Sequence, residues 1–313
     1  VAVAMMLGFL KAVKNGNGNS VKLAKNIRIV FQDAEENPGS SPRPESGGQV
    51  MVQEGVLNGV SRVYCMHISN EAEFEPGTFG SRPGGFLGNS GRNFMDIVCE
   101  GGHVAMPHKG ANALRVYCEI VNRLSSFAAR RSDPINPVVL EPVVASSVPI
   151  SLLKGKSPHE FMAAVLAGTQ ATNVRPSRVE TAFGFRTLLP REEHIALSHL
   201  MMQETAQVAE SMGAKLENTR EVYGHPALIN SPAEYTRVCQ ILSGAGEKVI
   251  ERQPMFGGED FAWYLEGTGG VPGAMFMLHA HTPNTGDFHT GTFNPDEREF
   301  WRGVLFWLLL ATS

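Results

Sequence analysis

Between residues 90 and 225 the apolar residues change period in a fixed order, and that order constrains the fold more than any other feature. Phe94, Ile97 and Val98 read as a strand that runs to Gly101-Gly102. From Ala111 to Arg130, the residues Leu114, Tyr117, Ile120, Val121, Leu124 and Phe127 recur at helical spacing, which predicts one amphipathic helix. Val138 to Val148 is β-like, and Arg178 to Leu188 alternates as a strand. Glu192 to Met212 is a second amphipathic helix, and Ala214 to Tyr223 a further strand. Strand, helix, strand, strand, helix, strand is the order of the ferredoxin-like split motif.

The flanks read differently. Residues 1–14 form a helix with Lys11 and Lys14 at the end that favours cations. Asn15 to Ser20 is a turn, and Asn26 to Gln32 is a compact apolar run that reads as a buried strand. Asp33 to Gly48 is a polar loop, Val50 to Leu57 a short helix, and Val60 to Ile68 a second buried strand. Two such strands joined through a loop and a helix predict a parallel α/β arrangement. It resumes at about residue 226 and ends in the apolar helix Phe300 to Leu310. The predicted fold is therefore an α/β domain in two parts, 1–89 and 226–313, with an α+β domain at 90–225 inserted between them.

Composition fits that division. A chain of 313 residues suggests about two domains. With 27 Lys+Arg against 31 Asp+Glu the formal charge is -4, which argues against a nucleic-acid binder. The apolar start Val1 to Leu10 lacks a basic lead-in and is too short to span a bilayer, so no membrane association is expected. It also lacks a helix-capping residue, so it reads as a helix entered midway and the chain as an N-terminally truncated piece of a longer protein. Cys65, Cys99, Cys118 and Cys239 include no C-x-x-C pair and read as reduced, buried residues, consistent with a cytoplasmic protein.

Chemistry is expected beyond the carboxyl ends of the strands, where open α/β sheets place their sites. Glu35 and Glu36 follow the strand predicted to end at Gln32; one can bind a cation while the other takes a proton from water. His67 stands at the end of the next strand, where a neutral imidazole can be a ligand or simply a satisfied histidine. His289, in the loop before the last helix, can close the site, with His279 and His281 as rivals. Glu259-Asp260 offers a second acidic pair or a helix start. His103 follows Gly101-Gly102 and can donate to an oxyanion or merely cap the next helix. Ser151 to Lys154 fits S-x-x-K but lacks its companion K-T-G. There is no G-x-S-x-G, Walker A or G-x-G-x-x-G sequence, and no organic cofactor is expected.

Taken in order, R-I-V-F-Q-D-A-E-E, E-G-V-L-N-G-V, Y-C-M-H, G-G-H-V-A-M-P-H, N-V-R-P, G-G-E-D-F and H-T-G-T-F-N-P-D-E resemble the metal-dependent amidohydrolases of the aminoacylase/carboxypeptidase family. The likeness is strongest to hippurate hydrolases and indoleacetyl-amino acid hydrolases, and it covers nearly the whole chain. It implies a phosphorylase/hydrolase-like zinc-peptidase catalytic domain and an inserted ferredoxin-like lid that dimerises. It also implies two divalent metals (Zn, Mn or Co) and N-acyl amino acids or small peptides as substrates. By the matching motifs, Glu35 resembles the general base, and Glu36, His67 and His289 resemble metal ligands. His103 resembles the lid histidine that stabilises the oxyanion, often in the partner subunit's site. Asn173 and Arg186 resemble lid residues near the substrate. The branch carries a C-G-H-D-x-H segment just before the sequence corresponding to Val1, whose Cys and His are ligands. The chain as it stands is therefore expected to bind one metal at most and to have little activity. Residues Ser146 to Thr172 read as an insertion with a helix start at Ser157 to Glu160. A non-catalytic relative acting through its lid as a dimerisation or ligand-binding protein is the alternative.

Overall fold

In the computed structural model the described residues are 2–14, 21–35, 45–133, 135–147, 160, 173–266 and 270–313. Glu36, the S-x-x-K sequence and most of the 146–172 segment lie outside them. The chain divides into two compact units, one made of Val1–Leu87 with Leu228–Ser313, the other of Gly88–Ala227.

The first unit is built on a sheet of β1 (Val63–Ser69), β2 (Phe79–Ser81), β11 (Val249–Glu251) and β12 (Gly273–His279), in the order β1-β12-β2-β11. β1 and β12 are parallel from Val63↔Gly273 to Ser69↔His279, whereas β12 and β2 are antiparallel. The sheet is thus mixed rather than all-parallel. All seven residues of β12 are buried, as expected of a strand covered on both faces. Its side chains divide by the period of two. Ala274, Phe276 and Leu278 join Met5, Ile68, Val238, Leu242 and Phe306 in one cluster. Met275 and Met277 join Leu57, Phe86, Leu228, Phe261 and Tyr264 in the other.

Helix α1 (Ala2–Lys14) supplies Met5 and Phe9, one turn apart and both buried. It packs against the terminal helix Phe300–Thr312 through two glycines. A Cβ on Gly303 would lie 2.0 Å from Met5 Sδ, and one on Gly8 would lie 2.8 Å from Val304 Cγ2. Helix α2 (Gly47–Gln53) starts at Ser46, whose hydroxyl accepts from Gln49 N–H.

The run Asn26 to Gln32, expected as a strand, is not one. An apolar run proposes a strand, but only a neighbouring backbone completes a ladder, and among the described residues none pairs with it. Arg28 instead donates to the carbonyls of Val56 (2.5 Å) and Asn58 (3.0 Å). The parallel partner of β1 is β12, a strand the sequence reading did not single out.

In the second unit the sheet order is β6-β8-β4-β9, all antiparallel: β4 (Gly91–Val98), β6 (Val138–Ser146), β8 (Arg178–Thr187) and β9 (Lys215–Tyr223). Helices α3 (Ala113–Ser125) and α5 (Arg191–Ser211) pack against it, with Val116, Ile120, Leu124, Leu197 and Met201 meeting Met95, Ile97, Phe183 and Phe185. The helix expected over 111–130 is broken: α3 ends at Ser125 with Ser126 as its C-cap, and a short α4 spans Phe127–Arg131. Ser125 and Ser126 donate to the carbonyls of Asn122 and Arg123, competing with the helical ladder where it stops. A two-residue ladder joins β5 (Gly102–His103) to β7 (Val174–Arg175). No helix among the described residues is long and apolar enough to cross a membrane.

Candidate functional site

At the carboxyl end of β1, His67 is exposed between the buried Met66 and Ile68. Its Nδ1 lies 2.6 Å from the Ile68 carbonyl. A carbonyl only accepts, so the proton sits on Nδ1 and the Nε2 lone pair is left for a ligand. The loop bearing His289 is fastened to this strand end twice. Phe288 meets the His67 ring edge-on at 5.5 Å, and Asn70 Nδ2 donates to the Gly286 carbonyl at 2.7 Å. Gly286 is required there, because a Cβ would lie 2.1 Å from Thr292 Oγ1. His289 is exposed and held at φ 62°, the left-handed region that non-glycine residues rarely occupy. The fold thus brings the His67 and His289 segments together.

Glu35 is exposed and follows Ala34, another positive-φ residue at 49°. Of three such residues among the described ones, two adjoin or are candidate site residues, and strained backbone concentrates at functional sites. Glu35 also approaches β1 electrically. Burial pushes the Cys65 thiol well above its usual range, and the charges of Glu259 and then Glu35 add to it. Cys65 and His67 are two residues apart and share a strand face. Asp260 has a supporting role: its Oδ2 accepts from Gly48 N–H (2.9 Å) and Gln32 Nε2 (2.5 Å). That ties α2 to the segment leading to Glu35. Glu259 accepts from Phe261 N–H at 3.1 Å, next to the short helix Ala262–Leu265.

His279 is fully buried, tilted at 38° against Phe74 with ring centroids 4.5 Å apart, and burial with the nearby Arg252 holds its pKa down to about 4. Arg252 is buried too, bridging to Glu71 at 2.6 Å. Nothing in the sequence around Glu71 or Arg252 had marked this network. Among the described residues no three His, Cys, Asp or Glu side chains converge to hold a metal ion. What fits a metal is the donor chemistry: an exposed imidazole oriented through its other nitrogen, a second imidazole on a loop seated against it, and the Glu35 carboxylate, whose charge reaches Cys65 two residues before His67.

In the second unit, His103 accepts at Nδ1 from Ala105 N–H (3.1 Å), which puts its proton on Nε2. Asn173 Nδ2 lies 3.2 Å from that Nε2; two donors cannot bond, so with Nε2 protonated the Asn173 amide turns its Oδ1 to the ring, while Val104 N–H donates to the Asn173 carbonyl at 2.9 Å. His103 and Asn173 are therefore neighbours. Arg186 is not: it is half-buried at the far end of β8, opposite Val139, eight residues or roughly 26 Å beyond Arg178. The sequence reading missed Arg175, which is 7% exposed and bonded to the loop that carries His103.

The fold is an α/β unit, with His67 near the carboxyl end of β1, interrupted by an α+β unit. The chain belongs to the peptidase family M20/M25/M40, whose profile matches residues 1–313. Thermostable carboxypeptidase 1 of Saccharolobus solfataricus is 27% identical over 99% of this chain and 71% of its own length. IAA-amino acid hydrolase ILR1-like 5 of Arabidopsis thaliana is 26% identical over 98% of this chain and 64% of its own. The solved structure of the Bacillus subtilis YXEP protein, a dinuclear metal binding peptidase from the M20 family, superposes with a TM-score of 0.72 at 20% identity. That match covers 99% of this chain and 70% of the other. The chain thus spans roughly two thirds of the length of such relatives.

Proposed function

We propose that the protein hydrolyses the amide bond of N-acyl amino acids or small peptides through a metal-activated water. The observation that carries this reading is His67, with Nδ1 tied to a backbone carbonyl, Nε2 open, and the His289 loop packed on its ring. Glu36, His67 and His289 are the ligands assigned here, for Zn, Mn or Co, all compatible with imidazole and carboxylate donors. Cations held by these residues would supply a Lewis acid to acidify water and polarise the scissile carbonyl. Glu35 takes the proton from that water and delivers it to the leaving amine. His103, protonated on Nε2, holds Asn173 Oδ1 in the resting site and exchanges it for the oxygen on which negative charge develops. Arg186 is assigned to the substrate carboxylate, which a guanidinium binds in a fork, in a site whose His103 comes from the second copy of the chain. The second unit serves as a lid and joins two copies of the chain, with β6 as an edge strand among the described residues.

Calorimetric titration with zinc or manganese, paired with hydrolysis of benzoylglycine, tests the assignment. Glu35→Gln should lower kcat by about 10²–10⁴-fold with metal affinity nearly unchanged. His67→Ala should weaken metal binding at least tenfold, on the order of 1.4 kcal/mol. Unchanged turnover in the first variant, or unchanged affinity in the second, refutes the respective role.

A further inference from the structure

The loop from Gly101 to Gly110 has no apolar anchor. Residues 102–110 are all exposed, including Val104 and Met106. Yet this loop carries His103 in a defined geometry. What fills its interior is the Arg175 guanidinium, itself 7% exposed. Nη2 donates to the carbonyls of Gly101 (2.9 Å) and Lys109, and Nη1 to those of Gly110 (2.9 Å) and Pro107 (3.3 Å). Four carbonyls from both arms of the loop thus turn inward onto one cation. Three glycines make room for this. Gly101, Gly102 and Gly110 have φ of 69°, 124° and 76°, and a Cβ on Gly102 would lie 2.6 Å from Arg175 Nη2. Among the described residues every hydrogen-bond partner of Arg175 is a backbone carbonyl, and its Nε has none.

We infer that Arg175 is a positioning residue for His103, resting on the reading of His103 as the oxyanion donor. One short segment sets that histidine from three sides. Asn173 meets its Nε2, Val174 pairs with its backbone, and Arg175 closes the loop behind it. The planar fork is what the site needs, because a single guanidinium reaches acceptors on both arms. A lysine keeps the charge but has no fork, so charge and geometry can be separated.

The test needs no catalytic activity. Nitrogen–carbon correlation NMR of the His103 ring in the whole chain should show the Nε2–H form. In Arg175→Met the ring should average between tautomers, and amide exchange over 101–110 should rise at least a hundredfold while that of β4 and β8 stays within threefold. Arg175→Lys should recover less than a tenth of the lost protection. A role confined to holding the unit together moves β4 and β8 as much as the loop, and that result overturns the inference, as does an unchanged His103 signal. Should Arg175→Met not fold, the unmodified chain decides. Arg175 Nη protons should exchange at least a hundredfold more slowly than those of the exposed Arg92, and equal rates refute the clasp. Absence of hydrolysis by the protein would count against the function proposed above while leaving these readouts standing. Where hydrolysis is measured, Arg175→Met should lower kcat tenfold or more with KM within threefold.

Discussion

Among the described residues each unit contains one histidine buried as a neutral ring, and the pair predicts how stability follows pH. His194 lies on α5, 2% exposed, stacked on Phe185 at 4.7 Å and edge-on to Tyr223 at 5.8 Å. Burial first, and the charge of Arg191 second, lower its pKa from 6.5 to about 4. The bonding of Thr187 explains why a proton is unwelcome. Its hydroxyl accepts from Asn89 Nδ2 (2.7 Å) and Leu189 N–H (3.2 Å), so its own proton points at His194 Nδ1, 3.2 Å away. Protonating Nδ1 sets two hydrogens against each other, while Nε2 has no partner to offset the charge. A Cβ on Gly91 would lie 2.8 Å from that Nε2, so the pocket has no slack.

The sign follows from proton counting. Below the unfolded value of 6.5 the unfolded chain binds a proton that the folded ring refuses, so stability is complete above 6.5 and falls as pH drops toward 4. The full loss is roughly 3 kcal/mol at about 1.4 kcal/mol per tenfold change in proton affinity, of which about 2 kcal/mol is lost by about pH 5. Trp263, Trp301 and Trp307 all lie in the first unit, so amide exchange of β4 and β8 is the assay for the second. In His194→Phe the stack survives, but Thr187 loses an acceptor, costing about 1 kcal/mol at neutral pH. The variant should therefore be less stable than the parent near pH 7 and more stable near pH 5. Curves that stay parallel refute the reasoning. Glu204, whose pKa Arg131 and Arg123 hold below 4.5 against its burial, loses its contribution as pH falls through about 4.5, so a comparison at pH 5 and above isolates His194.

Two further perturbations test the packing. Gly303→Ala drives a methyl into Met5 Sδ and should cost about 1–3 kcal/mol in urea unfolding followed by tryptophan fluorescence, with Met5→Ala in the same chain recovering part of it. Asn230 is fully buried, accepts from Met275 N–H (2.8 Å) and donates to the Arg82 carbonyl (2.8 Å), so Asn230→Leu should cost about 2–5 kcal/mol in the same assay.

The order of elements in 90–225 was legible because each segment carries one period throughout, and the period alone selects strand or helix. Where chemistry overrides period, the reading failed. The paired serines at 125–126 end a helix that the apolar spacing would carry on. Residues 26–32 have a strand's composition without a ladder partner. The most buried strand, G-A-M-F-M-L-H, has no β-branched residue and no alternation, so its local sequence withheld the signal that its position supplies. The site divides the same way. His67 and His103 were visible because a strand end and a glycine pair mark them, whereas Asn173 came only from the family resemblance. Arg175 in N-V-R-P reads as a surface cation until the fold wraps a loop around it.

The histidines show why residue type alone cannot find a site. His67 and His103 each spend one ring nitrogen on the backbone, which fixes the tautomer; the other is open in His67 and faces the Asn173 side chain in His103. They do so with opposite hydrogens: His67 accepts at Nε2 and suits a cation, whereas His103 donates at Nε2 and suits an oxyanion. His194 and His279 are buried against phenylalanine rings and kept neutral, so neither can bind an ion from solution or hand over a proton near neutral pH. The same imidazole is ligand, donor or core filler according to which nitrogen the backbone takes and whether water reaches the other. A variant that moved the backbone bond of His67 from Nδ1 to Nε2 would turn its free nitrogen back toward the strand, and metal affinity should fall even though no ligand had been removed.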